Sequence, residues 1–213
     1  MIFDTLAWLL VAIPLLLLTV LAIELALGLL SRPTVGRAVP AARTAAILIP
    51  AHNEAAGIAR TIALLRPALD PGIRLIVVAD NCTDETAKIA RDAGAMVIER
   101  QDSTRRGKGH ALAFGRDWLS AQADTPPPDC LVVLDADCEI DRDSLRLLIE
   151  ASCARQRPVQ SCYLLRSAPD DGAMTQISNF AMLIKNRVRQ RGSAVLGAPA
   201  ILGGTGMAFP WTL

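Results

Sequence analysis

From Ala45 onward the chain alternates short apolar runs with helical patterns, and this alternation restricts its fold more than any other feature. Residues 45–50 read as a short apolar strand, and residues 55–66 as a helix that stops before Pro67. Residues 73–79, rich in β-branched side chains, predict a second strand. Thr83 can cap a helix running to about residue 92, with Glu85 and Thr86 in its first turn. A short strand at 95–98 follows, then a helix over Lys108–Ser120 and a proline-rich loop at 125–128. Residues 131–134 are four apolar residues in a row, a buried strand. Residues 143–153 predict a helix with Leu145, Leu148 and Ile149 on one face. Parallel strands need crossover connections, so this order predicts an α/β fold, a mostly parallel sheet with helices on both faces. Ligands of such sheets bind beyond the carboxyl ends of the strands.

The N-terminus breaks from the pattern. The chain is 52% hydrophobic over 213 residues, and much of the apolar excess lies in an almost uninterrupted run over residues 5–30. As a helix this run is about 39 Å long, against a hydrocarbon core of roughly 30 Å. A signal peptide is the competing reading, but the run is too long and no basic residue precedes it. We therefore divide the chain into a transmembrane helix (1–31), a linker (32–44) and an α/β domain (45–213). Asp4 precedes the run, whereas Arg32, Arg37 and Arg43 follow it, which places the domain on the cytoplasmic side. Pro14 is tolerable in a membrane helix. Glu24 lies about 9 Å short of Leu30, and this shallow depth weighs against a functional role for it.

A formal net charge of +1 provides no electrostatic case for nucleic acid. The five cysteines, Cys82, Cys130, Cys138, Cys153 and Cys162, form no C-x-x-C pair and no cluster with zinc spacing. Free thiols in a reducing cytoplasm are the expected state.

Four polar segments fall at the predicted strand ends. The first strand ends in Pro50-Ala51-His52-Asn53-Glu54, the second in Asp80-Asn81-Cys82-Thr83-Asp84, and the fourth in Asp135-Ala136-Asp137. Between the third and fourth lies Arg105-Arg106-Gly107-Lys108-Gly109-His110. Alternate side chains of an extended backbone point the same way, so Asp135 and Asp137 can converge on one point. Two carboxylates there suit a hard divalent cation, Mg²⁺ or Mn²⁺, which can neutralise a diphosphate. The glycines let backbone N–H groups approach an anion where a helix begins, with Lys108 beside them. Each segment alone has a bland reading: an acidic turn, a helix cap, a Gly-Lys-Gly turn. Their arrival together at one sheet edge does not.

Taken in order, Ile47 to Glu54, Val77 to Thr86, Gly107 to Leu112, Val133 to Asp137 and Leu202 to Phe209 resemble family 2 glycosyltransferases of the GT-A fold. The branch they are similar to is membrane-bound and includes cellulose and hyaluronan synthases. The resemblance implies that Pro50, Ala51, His52, Asn53 and Glu54 line the nucleoside pocket and that Asp80 contacts the base or ribose. Many members carry two acids at that strand end, where this chain has Ala79 before Asp80. It further implies that Lys108 sits near the diphosphate. Asp135, Ala136 and Asp137 resemble the metal-binding Asp-x-Asp, with Asp137 in direct coordination. Gly203, Gly204, Thr205 and Gly206 resemble the floor of the acceptor side. The implied reaction is an inverting transfer from a nucleotide-diphosphate sugar, a UDP-sugar, to a glycan or lipid-linked acceptor, as in polysaccharide biosynthesis at a bacterial inner membrane. Members of this branch carry a general base downstream of the glycine loop. The resemblance thus places the base beyond Leu213 and makes this chain the donor-binding half of a longer enzyme, inactive alone.

Two rival readings differ in class. A sugar-phosphate nucleotidyltransferase would need a basic, glycine-rich loop after the first strand, but no basic residue occurs there before Arg60. A membrane-anchored, inactive nucleotide-sugar-binding subunit is the non-enzymatic alternative. Residues 173–191 also stand apart. Met174, Ile177, Phe180, Ala181 and Ile184 recur at helical spacing, and Lys185, Arg187, Arg189 and Arg191 cluster at the end. This is either a helix packed on the sheet with a solvated basic end or an interfacial helix against anionic membrane lipid.

The arginine asymmetry yields a topology test. In a background freed of native cysteines, a cysteine replacing Ser31 is expected to react only with reagent on the cytoplasmic side, and one replacing Thr5 only from outside. The reverse labelling pattern would overturn the orientation.

Overall fold

The structure, a computed structural model, describes residues 2–31, 43–165, 168 and 170–213. The expected linker, including Arg32 and Arg37, lies outside the described residues except for Arg43 and Thr44. The chain divides into two compact units. Residues 162–201, assigned from sequence to the α/β domain, cluster with the N-terminal helix instead.

The first unit is built on helix α1 (Ile2–Leu30), which contains Pro14 and a candidate span over Trp8–Leu30 with mean hydropathy 2.6. Its large side chains from Trp8 to Leu18 are all exposed, so it is not a core helix of a soluble domain.

The second unit holds a six-stranded sheet. Its strands are β1 (Ala45–Ala51), β2 (Ile73–Asp80), β3 (Met96–Arg100), β4 (Cys130–Val133), β5 (Val159–Gln160) and β6 (Met207–Pro210). They lie in the order β3-β2-β1-β4-β6-β5. Strand β1 pairs in parallel with β2 and β4, and β2 with β3, whereas β6 runs antiparallel to both β4 and β5. The α/β expectation holds. The two short strands β5 and β6 were not anticipated, because two- and four-residue elements carry no usable period and β6 ends in Pro210.

Side-chain alternation along β1 feeds two cores. Ile47 and Ile49 join Ile58, Ile62 and Leu65 of α2 (Ile58–Leu65) and Leu145, Leu148 and Ile149 of α5 (Arg142–Arg155) on one face. Ala46 and Leu48 meet Ala111 and Leu119 of α4 (Lys108–Ser120) on the other. Helix α3 (Thr86–Asp92) starts later than a Thr83 cap would place it. Thr83 bonds elsewhere, and the Asp84 carboxylate accepts from the Thr86 N–H at 3.0 Å in its stead. Helix α5 is capped by Asp141, which accepts from the Ser144 N–H at 2.9 Å.

The remaining helices belong to the first unit. Helix α6 (Ala173–Leu183) continues through a π-helical stretch (Ile184–Arg189) into α7 (Gln190–Val195), which packs against α1.

The ladder between β1 and β4 ends at Leu48↔Val133, while that between β1 and β2 continues to Ala51↔Ala79. Pro50 therefore falls past the β4 ladder, where a missing N–H is tolerated. Beyond Val133 the two strands part, at the point where the strand order reverses direction, and a crevice opens there.

Close packing of α4 is set by Gly115, where a Cβ would lie 2.9 Å from Leu48 Cδ1 and 3.1 Å from Val78 Cγ2. Gly115→Val should therefore destabilise the sheet unit by about 1–3 kcal/mol through overpacking. Gly109→Ala, with open space around it, should not lower the denaturation midpoint. Equal midpoints for Gly115→Val and the parent, followed by circular dichroism in urea, would contradict this packing.

Candidate active site

The crevice is a cleft of about 400 Å³. Pro50, Ala51, His52 and Glu54 line it from the end of β1, and Asp80 and Asn81 from the end of β2. Arg106, Gly107, Lys108 and Ala111 contribute the start of α4, and Asp135, Ala136 and Asp137 the end of β4. All four sequence segments thus converge on one cleft, but not every expected residue faces it. Asn53 does not line it. Its backbone is left-handed (φ 57), and its side-chain oxygen accepts from the Thr83 N–H at 2.8 Å and hydroxyl at 3.3 Å. Asn81 repeats the device (φ 52), accepting from the Asp102 N–H at 2.8 Å. Asparagine tolerates this region better than other chiral residues. Each strand-end loop is thereby tied to the next.

On one wall, His52 Nδ1 lies 2.7 Å from the Asp80 carbonyl oxygen. A carbonyl only accepts, so Nδ1 carries a proton and donates it. The Asp80 carboxylate is buried, and its Oδ1 accepts from Arg100 at 2.6 Å and Asn81 at 3.0 Å. Arg100 is buried too and reaches Asp102 at 3.0 Å with its second nitrogen. Sequence reading missed Arg100. The only signal was its place at the end of β3, level with Asp80 in the parallel register. The Thr104 hydroxyl and then Arg105 hold the Asp102 carboxyl far below the usual carboxylate range.

The opposite wall carries the charges. Lys108 is the first residue of α4, preceded by Gly107 at φ 111. Its ammonium donates to the Asp135 carboxylate and to the Gly204 carbonyl. The Lys108 and Gly109 amides come before the first bonds of α4, which His110 and Ala111 donate to the Gly107 carbonyl at 3.0 and 3.3 Å, and the helix dipole adds positive potential there. The Asp135 N–H donates to the Thr205 hydroxyl at 3.0 Å, and the buried Thr61 hydroxyl of α2 donates to the Ala136 carbonyl at 2.5 Å. Both bonds fix the turn that carries the two aspartates. Gln160 of β5 holds the glycine loop, accepting from the Gly203 N–H at 2.7 Å and donating to the Thr205 carbonyl at 2.8 Å. Gly204 and Thr205 thus brace Lys108 and Asp135, and none of Gly203, Gly204, Thr205 and Gly206 lines the cleft.

Ligand atoms of Asp135, Asp137 and Cys138 lie within 4.8 Å of one another. Two carboxylates at this spacing fit a hard divalent cation. Burial pushes the Cys138 thiol up, so it stays protonated and is a poor ligand beside them.

Residues 46–200 match the family model described as Glycosyl transferase family 2. The chain is 33% identical over 111 residues to the low-salt glycan biosynthesis hexosyltransferase of Haloferax volcanii, covering 51% of this chain and 24% of that protein. It is 35% identical over 106 residues to glucosyl-3-phosphoglycerate synthase of Mycobacterium tuberculosis, covering 47% and 31%. The crystal structure of that synthase with Mn²⁺, UDP and phosphoglyceric acid is similar at a TM-score of 0.53 and 28% identity, covering 86% of this chain and 62% of that one. A mannosyltransferase of Pyrobaculum calidifontis, in complex with GDP-Man and Mn²⁺, reaches a TM-score of 0.61 at 18% identity, covering 89% and 56%. That last likeness is one of fold alone. The matched stretch spans less than a third of these curated relatives and less than two thirds of these solved structures.

The Asp102 brace has a pH signature. Its depressed carboxyl stabilises the fold above the ordinary carboxylate pKa of about 3.9, and that contribution is lost as pH falls below this value. Asp102→Asn is therefore expected to melt below the parent at pH 6, with the gap closing below about pH 4. A gap that persists undiminished into stronger acid would refute the assignment.

Proposed function

Since the chain belongs to glycosyl transferase family 2, we propose that it binds a nucleotide-diphosphate sugar, a UDP-sugar, and serves its transfer to a glycan or lipid-linked acceptor at the cytoplasmic face of a membrane. The observation that carries this reading is the meeting of Asp135, Asp137, Lys108 and the start of α4 in one cleft. Two carboxylates and a helix N-terminus with a lysine are what a metal–diphosphate pair needs, and a sugar-binding cleft without phosphate would not.

Asp135 and Asp137 would hold Mg²⁺ or Mn²⁺, whose charge offsets that developing on the leaving diphosphate. Lys108 and the first-turn amides of α4 bind and orient the same diphosphate. The turn bonds from Thr61 and Thr205 hold the aspartates in place before donor arrives. On the other wall, Arg100 holds the Asp80 carboxylate in place on the nucleoside side of the cleft. UDP as the donor nucleotide is supported by the UDP in the mycobacterial synthase complex.

The membrane placement rests on α1, whose apolar side chains face outward over a length sufficient to span, and on the arginines that follow it. Inversion by a single displacement, and kinship with the cellulose and hyaluronan synthase-like branch, rest on the motif resemblance. A base for the acceptor hydroxyl must come within about 3 Å of it or act through one water. NMR of the product's anomeric proton tests inversion directly, since retention would exclude the single displacement.

In calorimetric titrations with Mn²⁺ present, Asp137→Ala should weaken UDP binding by more than about tenfold, the loss expected when a charge-compensating ligand goes. UDP affinity that survives EDTA unchanged would defeat the reading of the acid pair.

A further inference from the structure

The unit formed by α1, α6, the π-helical stretch and α7 presents a surface that no core accounts for. Helix α6 buries none of its side chains. Met174, Ile177 and Phe180 are 75%, 60% and 63% exposed, and residues at this spacing share one helix face. Val195 and Leu196 are exposed at the far end. Between these apolar ends lie Lys185, Arg187, Arg189 and Arg191. A contiguous apolar face rimmed by charge is a docking surface.

The attachment of this segment identifies its occupant. Glu24 of α1 is buried at 9% exposure, and its carboxylate accepts from Arg189 Nε at 2.6 Å and from the Ser193 hydroxyl at 2.9 Å. A Cβ on Gly192 would lie 1.7 Å from the Glu24 carbonyl oxygen, and one on Gly28 would lie 2.0 Å from the Val188 carbonyl oxygen. The two backbones therefore touch, as membrane helices do through small residues. Glu24 stands about 9 Å from the end of α1 at Leu30, and the candidate span from Trp8 is about 34 Å long. Centred on a hydrocarbon core of roughly 30 Å, the span puts the clip about 7 Å inside its edge, within the roughly 5–10 Å that interfacial helices reach. A carboxylate at that depth needs a partner, and Arg189 is committed to it. The neighbouring basic side chains are left for phosphate.

We propose that residues 173–196 form a membrane-surface element, clipped to α1 through Glu24, Arg189 and Ser193, whose ligand is the anionic phospholipid headgroup layer. This rests on the reading of α1 as a membrane span. Met174, Ile177 and Phe180 enter the headgroup–acyl boundary, and Lys185, Arg187 and Arg191 meet lipid phosphates. The clip fixes the depth and heading of the amphipathic segment, which a free amphipathic helix would leave to lipid composition.

The test uses the full chain, freed of native cysteines, in lipid nanodiscs carrying spin labels at shallow or deep acyl positions. A fluorophore on Phe180→Cys is expected to be quenched more by shallow than by deep labels. Quenching should be at least about twofold stronger in discs rich in anionic lipid than in zwitterionic ones. Combined Lys185→Gln, Arg187→Gln and Arg191→Gln substitutions should erase that preference. A fluorophore on Leu17→Cys reports on α1 separately and should be quenched by deep labels. An unquenched probe at 180 with a quenched probe at 17 overturns the inference and leaves the anchor standing. Two unquenched probes remove the anchor reading as well. Quenching at 180 by a spin-labelled second copy, in place of lipid, also overturns it. Gly192→Leu, and more mildly Glu24→Gln, should reduce shallow quenching at 180 with that at 17 unchanged, and no change in either variant would sink the clip.

Discussion

The cleft depends on where one hydrogen-bond ladder stops. Strand β1 stays paired with β2 as far as Ala51, but its ladder with β4 ends at Leu48 and Val133. From that point the ends of β1 and β4 are free to diverge and to carry functional residues in place of sheet contacts. Pro50 and the two aspartates follow at once on either side. Had β4 stayed in register for four more residues, Asp135 and Asp137 would have been ladder residues, both side chains on one face of a packed sheet and covered by its helices. The parting of the strands is therefore the constraint that lets two carboxylates share one side of a cleft.

Holding like charges close has to be offset. Asp135 and Asp137 lie within a few ångströms of each other, and Lys108 with the positive end of α4 stands beside them. The same logic runs on the other wall, where Arg100 is held between Asp80 and Asp102. The buried Arg100–Asp80 pair contributes little net stability, but removing one partner is costly because the other stays desolvated. These pairs act mainly on geometry: each carboxylate is held in one place by a cation that is itself held by a second group. The asparagine braces at 53 and 81 extend this stiffness through the loops.

In the first unit, Glu24 solves a different problem with similar parts. A carboxylate in an apolar helix is satisfied by Arg189, at the end of the π-helical stretch, and by Ser193 of α7, and glycines bring the backbones together. This gives a packing reason for a residue whose position in an apolar run otherwise looks anomalous.

The sequence by itself determined the elements whose signals are local. The apolar runs of β1, β2 and β4, the bounds of α4 and the Asp-x-Asp at a strand end could be read because burial and turn chemistry act over a few residues. The α/β class followed from their order, since parallel strands require crossovers. Only the tertiary structure decided what depends on register and long-range closure. Arg100 became the partner of Asp80 through the parallel register of β2 and β3. Asn53 turned from the cleft to Thr83 because its backbone is left-handed, which residue type permits but does not dictate. Gly204 met Lys108 across 96 positions in sequence and Thr205 met Asp135 across 70, which no local pattern encodes. Residues 162–201 joined α1, far away along the chain, because two glycines and one buried carboxylate fit there, and fit is a property of surfaces that exist only once both helices have formed.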